Sequence, residues 1–162
     1  MVKRHYVILP VINMEIMTIE TLKIKEELRG LIDDYASLGD EKKISEQMDL
    51  FTPDVTYKVY MNDFLAADIS GRRQLEEEFN GHASQVKTYF TLNGQHKVNI
   101  NSNDATGVSF SQIKMIREND GKVFITDYSV RYNDTYVLND AKWKIKDRVG
   151  YFVIVETRNI DN

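Results

Sequence analysis

The chain contains no cysteine. Disulfide staples, thiolate nucleophiles and cysteine-held metals are therefore excluded. A cysteine-free chain fits a reducing cytoplasm, the expected compartment, although it also permits export. Proline occurs twice and glycine eight times, and no glycine-rich phosphate loop is present, which argues against a nucleotide site. No run approaches the ~20 apolar residues of a membrane span. Basic residues do not outnumber acidic ones: 21 Lys and Arg against 25 Asp and Glu give a net charge of −4. The two signs are interspersed, which argues against a nucleic-acid surface. The three histidines, His5, His82 and His96, are scattered with no carboxylates at ligand spacing, so neither a metal nor another cofactor is expected.

What is present is enough for one well-filled domain. The chain has 162 residues, 42% of them apolar, which suits a single sizeable core. Residues 1–17 carry Lys3, Arg4 and His5, then a short apolar run broken by Pro10. No small-residue cleavage site follows, so a secretory signal is not expected. The segment reads as an extension before a domain over 18–157, with a tail at 158–162. An arm gripping a partner subunit is the functional alternative.

Thr18 to Gly39 repeats apolar residues at three- and four-residue steps and reads as a helix capped by Thr18. A short helix over Glu41–Phe51 follows, stopped by Pro53. Val55–Met61 is β-branched and aromatic and reads as a strand, pairing back with Phe64–Ile69 across Asn62-Asp63. A third helix opens near Ser70. From there the chain is strand-rich: Gln95–Asn101, Ala105–Arg117, Lys122–Leu138 and Ala141–Thr157, separated by turn clusters that include Asp120-Gly121. The expected class is α+β: a strongly bent, mainly antiparallel sheet wrapped around three helices of the N-terminal half.

Three local patterns sharpen this. They are Tyr35-Ala36-x-x-x-Asp40 with Leu50-Phe51-Thr52-Pro53-Asp54-Val55; His96 followed by alternating residues and an Asn-Asp turn; and Arg131-Tyr132-x-Asp134-x-Tyr136 with Trp143-Lys144-Ile145 and Arg148. In this order they resemble the SnoaL-like, scytalone-dehydratase-like branch of the nuclear-transport-factor-2-like superfamily. The resemblance covers Thr18 to Val155. It implies a cone whose helices plug a bent sheet around a mostly apolar cavity, commonly paired into homodimers through the outer sheet face. The fold hosts isomerases, dehydratases and plain binding modules, so it does not decide function.

The resemblance also implies roles. Asp40 matches the carboxylate that orients a catalytic histidine, and His96 matches that histidine. A neutral imidazole accepts a proton only if its other nitrogen is held in the right tautomer. The alternatives are a helix-capping Asp40 and a His96 satisfied by backbone. The second histidine of such dehydratases has no counterpart in Gly107–Gln112. Tyr128 and Tyr132 share a strand face with Asp134 and Tyr136. Tyr35, Tyr57, Phe64 and Trp143 complete the expected cavity wall. By simple alternation Trp143, Ile145 and Asp147 face one way and Lys144, Lys146 and Arg148 the other. Asp147 is then either a second cavity acid or is turned out by a β-bulge. The functional expectation is a cofactor-free lyase or isomerase abstracting a proton from a small, mostly apolar, cyclic or polyketide-like substrate. The alternatives are a non-catalytic binding module and a scaffold subunit of the same fold.

Overall fold

The computed structural model describes residues 18–160. The N-terminal extension, its reading as an arm, and the last two residues of the tail lie outside the described residues. The elements are α1 (Ile19–Asp40), α2 (Ile44–Met48), β1 (Phe51–Met61), β2 (Phe64–Ser70), α3 (Arg72–Ser84), β3 (Thr88–Asn101), β4 (Asp104–Asn119), β5 (Lys122–Asn139) and β6 (Lys142–Asn159). One six-stranded sheet runs in the order β2-β1-β6-β5-β4-β3. Every neighbouring pair is antiparallel except β1 with β6, which is parallel. The early hairpin thus joins the later meander in one bent, unclosed mixed sheet. Among the described residues no helix is long and apolar enough to cross a membrane.

Local chemistry explains most element ends. The Thr18 side chain accepts from the Thr21 N–H and caps α1, filling one orphan donor. Helix α2 is shorter than expected, and Pro53 lies inside β1 rather than after a helix. It is tolerated there because β1 and β6 are out of register between Phe51 and Thr56, so the missing N–H costs no ladder bond. Gly71 precedes α3 with φ +87°, a conformation open to glycine. Ser70 is not a side-chain cap; its backbone N–H donates to the Gln74 amide oxygen instead. The hairpin turns at Asn62-Asp63, Asp120-Gly121 and Asp140-Ala141 hold both central residues at positive φ, as the right-handed strand twist prefers.

Leu28, Leu31 and Ile32 of α1 bury against Phe51, Val55, Tyr136 and Ile145 of the sheet. Leu28 is completely buried, and truncation to alanine at such a site costs about 2–5 kcal/mol. Three bulges shape the strands. Gly94 and Gln95 on β3 face one residue of β4; Lys146 and Val153 are the extra residues of β6 against β5. Each bends its strand and reverses which alternate residues face inward. The Lys146 bulge settles the two readings of Asp147. Arg148, not Asp147, turns into the core and is fully buried, while Asp147 accepts a hydrogen bond from the Thr56 hydroxyl at 2.7 Å.

Candidate functional site

Helices α1 and α3 and the inner sheet face enclose a cavity of about 260 Å³. Its apolar wall includes Val59, Met61, Ile113, Met115 and Phe152. Strand β3 supplies a polar strip. Before the bulge, Tyr89, Thr91 and Asn93 face the cavity while Phe90 and Leu92 face outward, 52% and 58% exposed. This inverts the usual apolar-in alternation of a half-buried strand.

Asp40, the last residue of α1, reaches Thr91. Its Oδ2 accepts from the Thr91 N–H and its Oδ1 from the Thr91 hydroxyl, both at 2.7 Å. A carboxylate at a helix C-terminus meets the negative end of the dipole, and α1 has no basic residue in its last turn. Thr91 therefore holds the charge in place with neutral donors alone. At the next inward position of β3, Asn93 donates to Asp33 Oδ1 at 2.8 Å and accepts from the Ser111 hydroxyl at 2.8 Å. The Tyr35 and Tyr57 hydroxyls meet at 3.1 Å. Burial foremost, and then the neighbouring Tyr35, push the Tyr57 phenol well above its ordinary pKa.

A second polar group sits at the cavity mouth. His82 Nδ1 lies 2.8 Å from the Tyr89 hydroxyl, and His82 Nε2 lies 2.8 Å from Arg117 Nη2. His82 and Tyr89 line the cavity. Burial and then the Arg117 charge lower the His82 pKa below 6.5. Burial raises the Tyr89 phenol to about 12.

His96 belongs to a different cluster. Its Nε2 lies 3.1 Å from the Tyr136 hydroxyl, which donates to Asp134 Oδ2 at 2.8 Å. Arg148 donates to both Asp134 oxygens, from Nε at 2.7 Å and Nη2 at 2.9 Å. The guanidinium lies between the Tyr35 and Tyr132 rings, 4.2 and 4.4 Å from their centroids. The Asp134–Arg148 pair has no exposed side-chain surface. Removing either partner from such a buried pair strands a charge at a cost of about 3–5 kcal/mol. Gly107 makes room for the cluster: a Cβ there would lie 2.7 Å from Tyr136 Cε2 and 3.0 Å from His96 Nε2.

The Asp40–His96 dyad is therefore not formed. His96 is five residues beyond Thr91 on β3, on the order of 15 Å along a strand, too far for a direct or single-water bridge. The bulge at Gly94-Gln95 turns His96 inward but toward Tyr136. Of the other expected site residues, Tyr35, Tyr57, Tyr128 and Tyr132 line the cavity with Asp40. Three do not. Phe64 follows the β1–β2 turn and is 71% exposed, Trp143 is buried in the core, and Asp147 is turned out. Thr91, His82 and Tyr89 were not anticipated. The signal for two of them lay in Tyr89-Phe90-Thr91-Leu92-Asn93, whose alternation is regular but whose polar side faces in.

Residues 20–149 match the SnoaL-like domain model. No curated protein matches the chain. Solved structures share its fold. A candidate scytalone dehydratase from Novosphingobium aromaticivorans is 20% identical with a TM-score of 0.72, covering 87% of this chain and 90% of that one. The hexachlorocyclohexane dehydrochlorinase LinA-type3 from Novosphingobium barchaimii is 10% identical at 0.70, covering 85% and 91%. The β subunit of a candidate aromatic-ring-hydroxylating dioxygenase from N. aromaticivorans is 14% identical at 0.72, covering 85% and 94%. With the family model spanning most of its length, the chain belongs to the SnoaL-like domain family.

Proposed function

We propose that the chain is a cofactor-free enzyme of the lyase or isomerase type that takes a small, mostly apolar substrate into the cavity and removes a proton through Asp40. The observation that carries this reading is a carboxylate fixed on the wall of a largely apolar cavity by Thr91, with no salt bridge of its own among the described residues. An acid so placed is partly withdrawn from water and held in a fixed orientation. It is positioned to accept a proton from a carbon next to a carbonyl, the first step of isomerisation and of many eliminations. The dehydratase and dehydrochlorinase that share the fold are named for eliminations. The working compartment proposed is the cytoplasm, and the outer sheet face is proposed to pair two copies into a homodimer.

A second reading, a binding module with no chemistry, is favoured by one observation: threonine, not histidine, faces Asp40. Ligand affinity and proton transfer measured side by side for wild type and Asp40→Asn separate the two. The enzyme reading expects near-equal affinity and lost proton transfer in the variant. The binding reading expects no proton transfer even in the wild type.

A further inference from the structure

The His82 ring settles its own proton. A guanidinium has no lone pair and only donates, so His82 Nε2, 2.8 Å from Arg117 Nη2, is the bare nitrogen. A neutral imidazole carries its one proton on the other nitrogen. Nδ1–H therefore donates to the Tyr89 oxygen at 2.8 Å. The reverse tautomer would set an N–H against the guanidinium. The Tyr89 oxygen thus accepts, and among the described residues no protein acceptor takes its own O–H. A phenol that accepts one hydrogen bond donates a stronger one.

We propose that Tyr89 is the fixed hydrogen-bond donor of the cavity, set by His82 and Arg117 as positioning residues, and that the ligand presents it with a carbonyl oxygen on an apolar body. Tyr89 and Thr91 are consecutive inward residues of β3, about 7 Å apart along the strand. Thr91 holds the only carboxylate of the cavity wall that a protein donor fixes among the described residues. The donor and the residue that holds the carboxylate thus occupy neighbouring inward positions of one strand. The apolar body of the ligand would lie against Met61, Ile113 and Phe152. This assignment rests on the cavity being the ligand site and not on Asp40 acting as a base.

The probes are acetophenone and α-methylstyrene, of nearly the same shape, one with a carbonyl oxygen and one with a methylene. Each is titrated into wild type and Tyr89→Phe, and the carbonyl stretch of bound, ¹³C-labelled acetophenone is recorded by infrared difference spectroscopy. Tyr89→Phe is expected to lower acetophenone affinity relative to α-methylstyrene by roughly two- to tenfold, the net worth of one hydrogen bond. α-Methylstyrene binding should hold, and the bound carbonyl stretch should rise toward that of an apolar solvent. Arg117→Met gives a second reading that leaves Tyr89 in place. Freed from the guanidinium, His82 takes the other tautomer, Nδ1 accepts from Tyr89, and the bound carbonyl stretch rises again; ¹⁵N shifts of the His82 ring report the change. Binding of both probes with no change in affinity ratio or carbonyl stretch in either variant overturns the assignment and leaves the cavity reading standing. Failure of both probes to bind the wild type overturns both.

Discussion

Thr91 meets the Asp40 carboxylate with two donors of one residue, its N–H on Oδ2 and its hydroxyl on Oδ1, each at 2.7 Å. The contact ties the C-terminal end of α1 to β3 across the cavity edge. Thr91→Val keeps the side-chain volume and the backbone bond but removes the hydroxyl. Hydrogen bonds to charged groups contribute about 1.5–3 kcal/mol, and less where water reaches them. Urea unfolding of Thr91→Val should therefore show a loss of about 1 kcal/mol. In a double-mutant cycle with Asp40→Asn the two losses should be non-additive. Additive losses would mean that the hydroxyl does not support the carboxylate.

Stability should depend on pH through two histidines. Burial foremost, then Arg117, lowers the His82 pKa. Burial also lowers that of His96, with Arg29 and Arg148 acting in the same direction and Asp134 and Asp33 against it. Both folded values lie below the ordinary 6.5. Below 6.5 the unfolded chain binds protons that the folded chain refuses, so unfolding takes up protons and stability falls with pH. The unfolding free energy should be level above pH 6.5 and decline from there toward pH 5, before most carboxylates titrate. The double variant His82→Gln with His96→Gln should flatten that slope. An unchanged slope would place its origin elsewhere.

Gly107 is predicted to be intolerant for a reason unrelated to backbone freedom. An added Cβ would fall 2.7 Å from the Tyr136 ring and 3.0 Å from His96 Nε2. Tyr136 is completely buried and tied to Asp134, so it has little room to give. Gly107→Ala should cost about 1–3 kcal/mol, the usual penalty of overpacking, read as a lower denaturation midpoint at unchanged slope. A variant as stable as wild type would mean that the cluster rearranges freely.

The outer sheet face leaves Leu92, Phe110, Val153 and Ile154 between 43% and 60% exposed around one shallow groove. The proposed homodimer buries this face, and a specific interface covers about 1,000 Å² or more. Phe110→Lys with Val153→Lys should convert a dimer to a monomer in sedimentation analysis while leaving the circular dichroism spectrum intact. A monomeric wild type at micromolar concentration would refute the dimer.

The fold was legible because its signals are local and redundant. The apolar period of α1, the capping Thr18 and the hairpin turns each fix one element without help from the rest. Strand β5 kept its parity from Tyr128 to Tyr136 because neither bulge of the β5–β6 pair adds a residue to it. The site was less legible because bulges reverse parity. Lys146 is an ordinary surface residue in the sequence, yet as the extra residue of β6 it turns Arg148 in and Asp147 out. Gly94 was the one visible mark of the β3 bulge. A regular alternation breaks at Gly94, so the sequence pattern starts the strand at Gln95 and leaves the polar strip Tyr89, Thr91 and Asn93 outside it. Asp40 was found from a resemblance that also implied a histidine partner, and its actual partner is a threonine.

The cavity is proposed to bind a small apolar carbonyl compound, and Asp40 to remove a proton beside the carbonyl. Deuterium incorporation tests this without knowledge of the natural substrate. A ketone such as 1-tetralone, first shown by titration to bind, is incubated with the protein in D₂O, and loss of the proton signal next to the carbonyl is followed by NMR. Incorporation is expected to be faster than in buffer for the wild type and to fall by ~10²–10⁴ in Asp40→Asn, the usual worth of a positioned base, with affinity nearly unchanged. Incorporation no faster than in buffer for bound ketones, or equally fast in Asp40→Asn, would contradict this proposal.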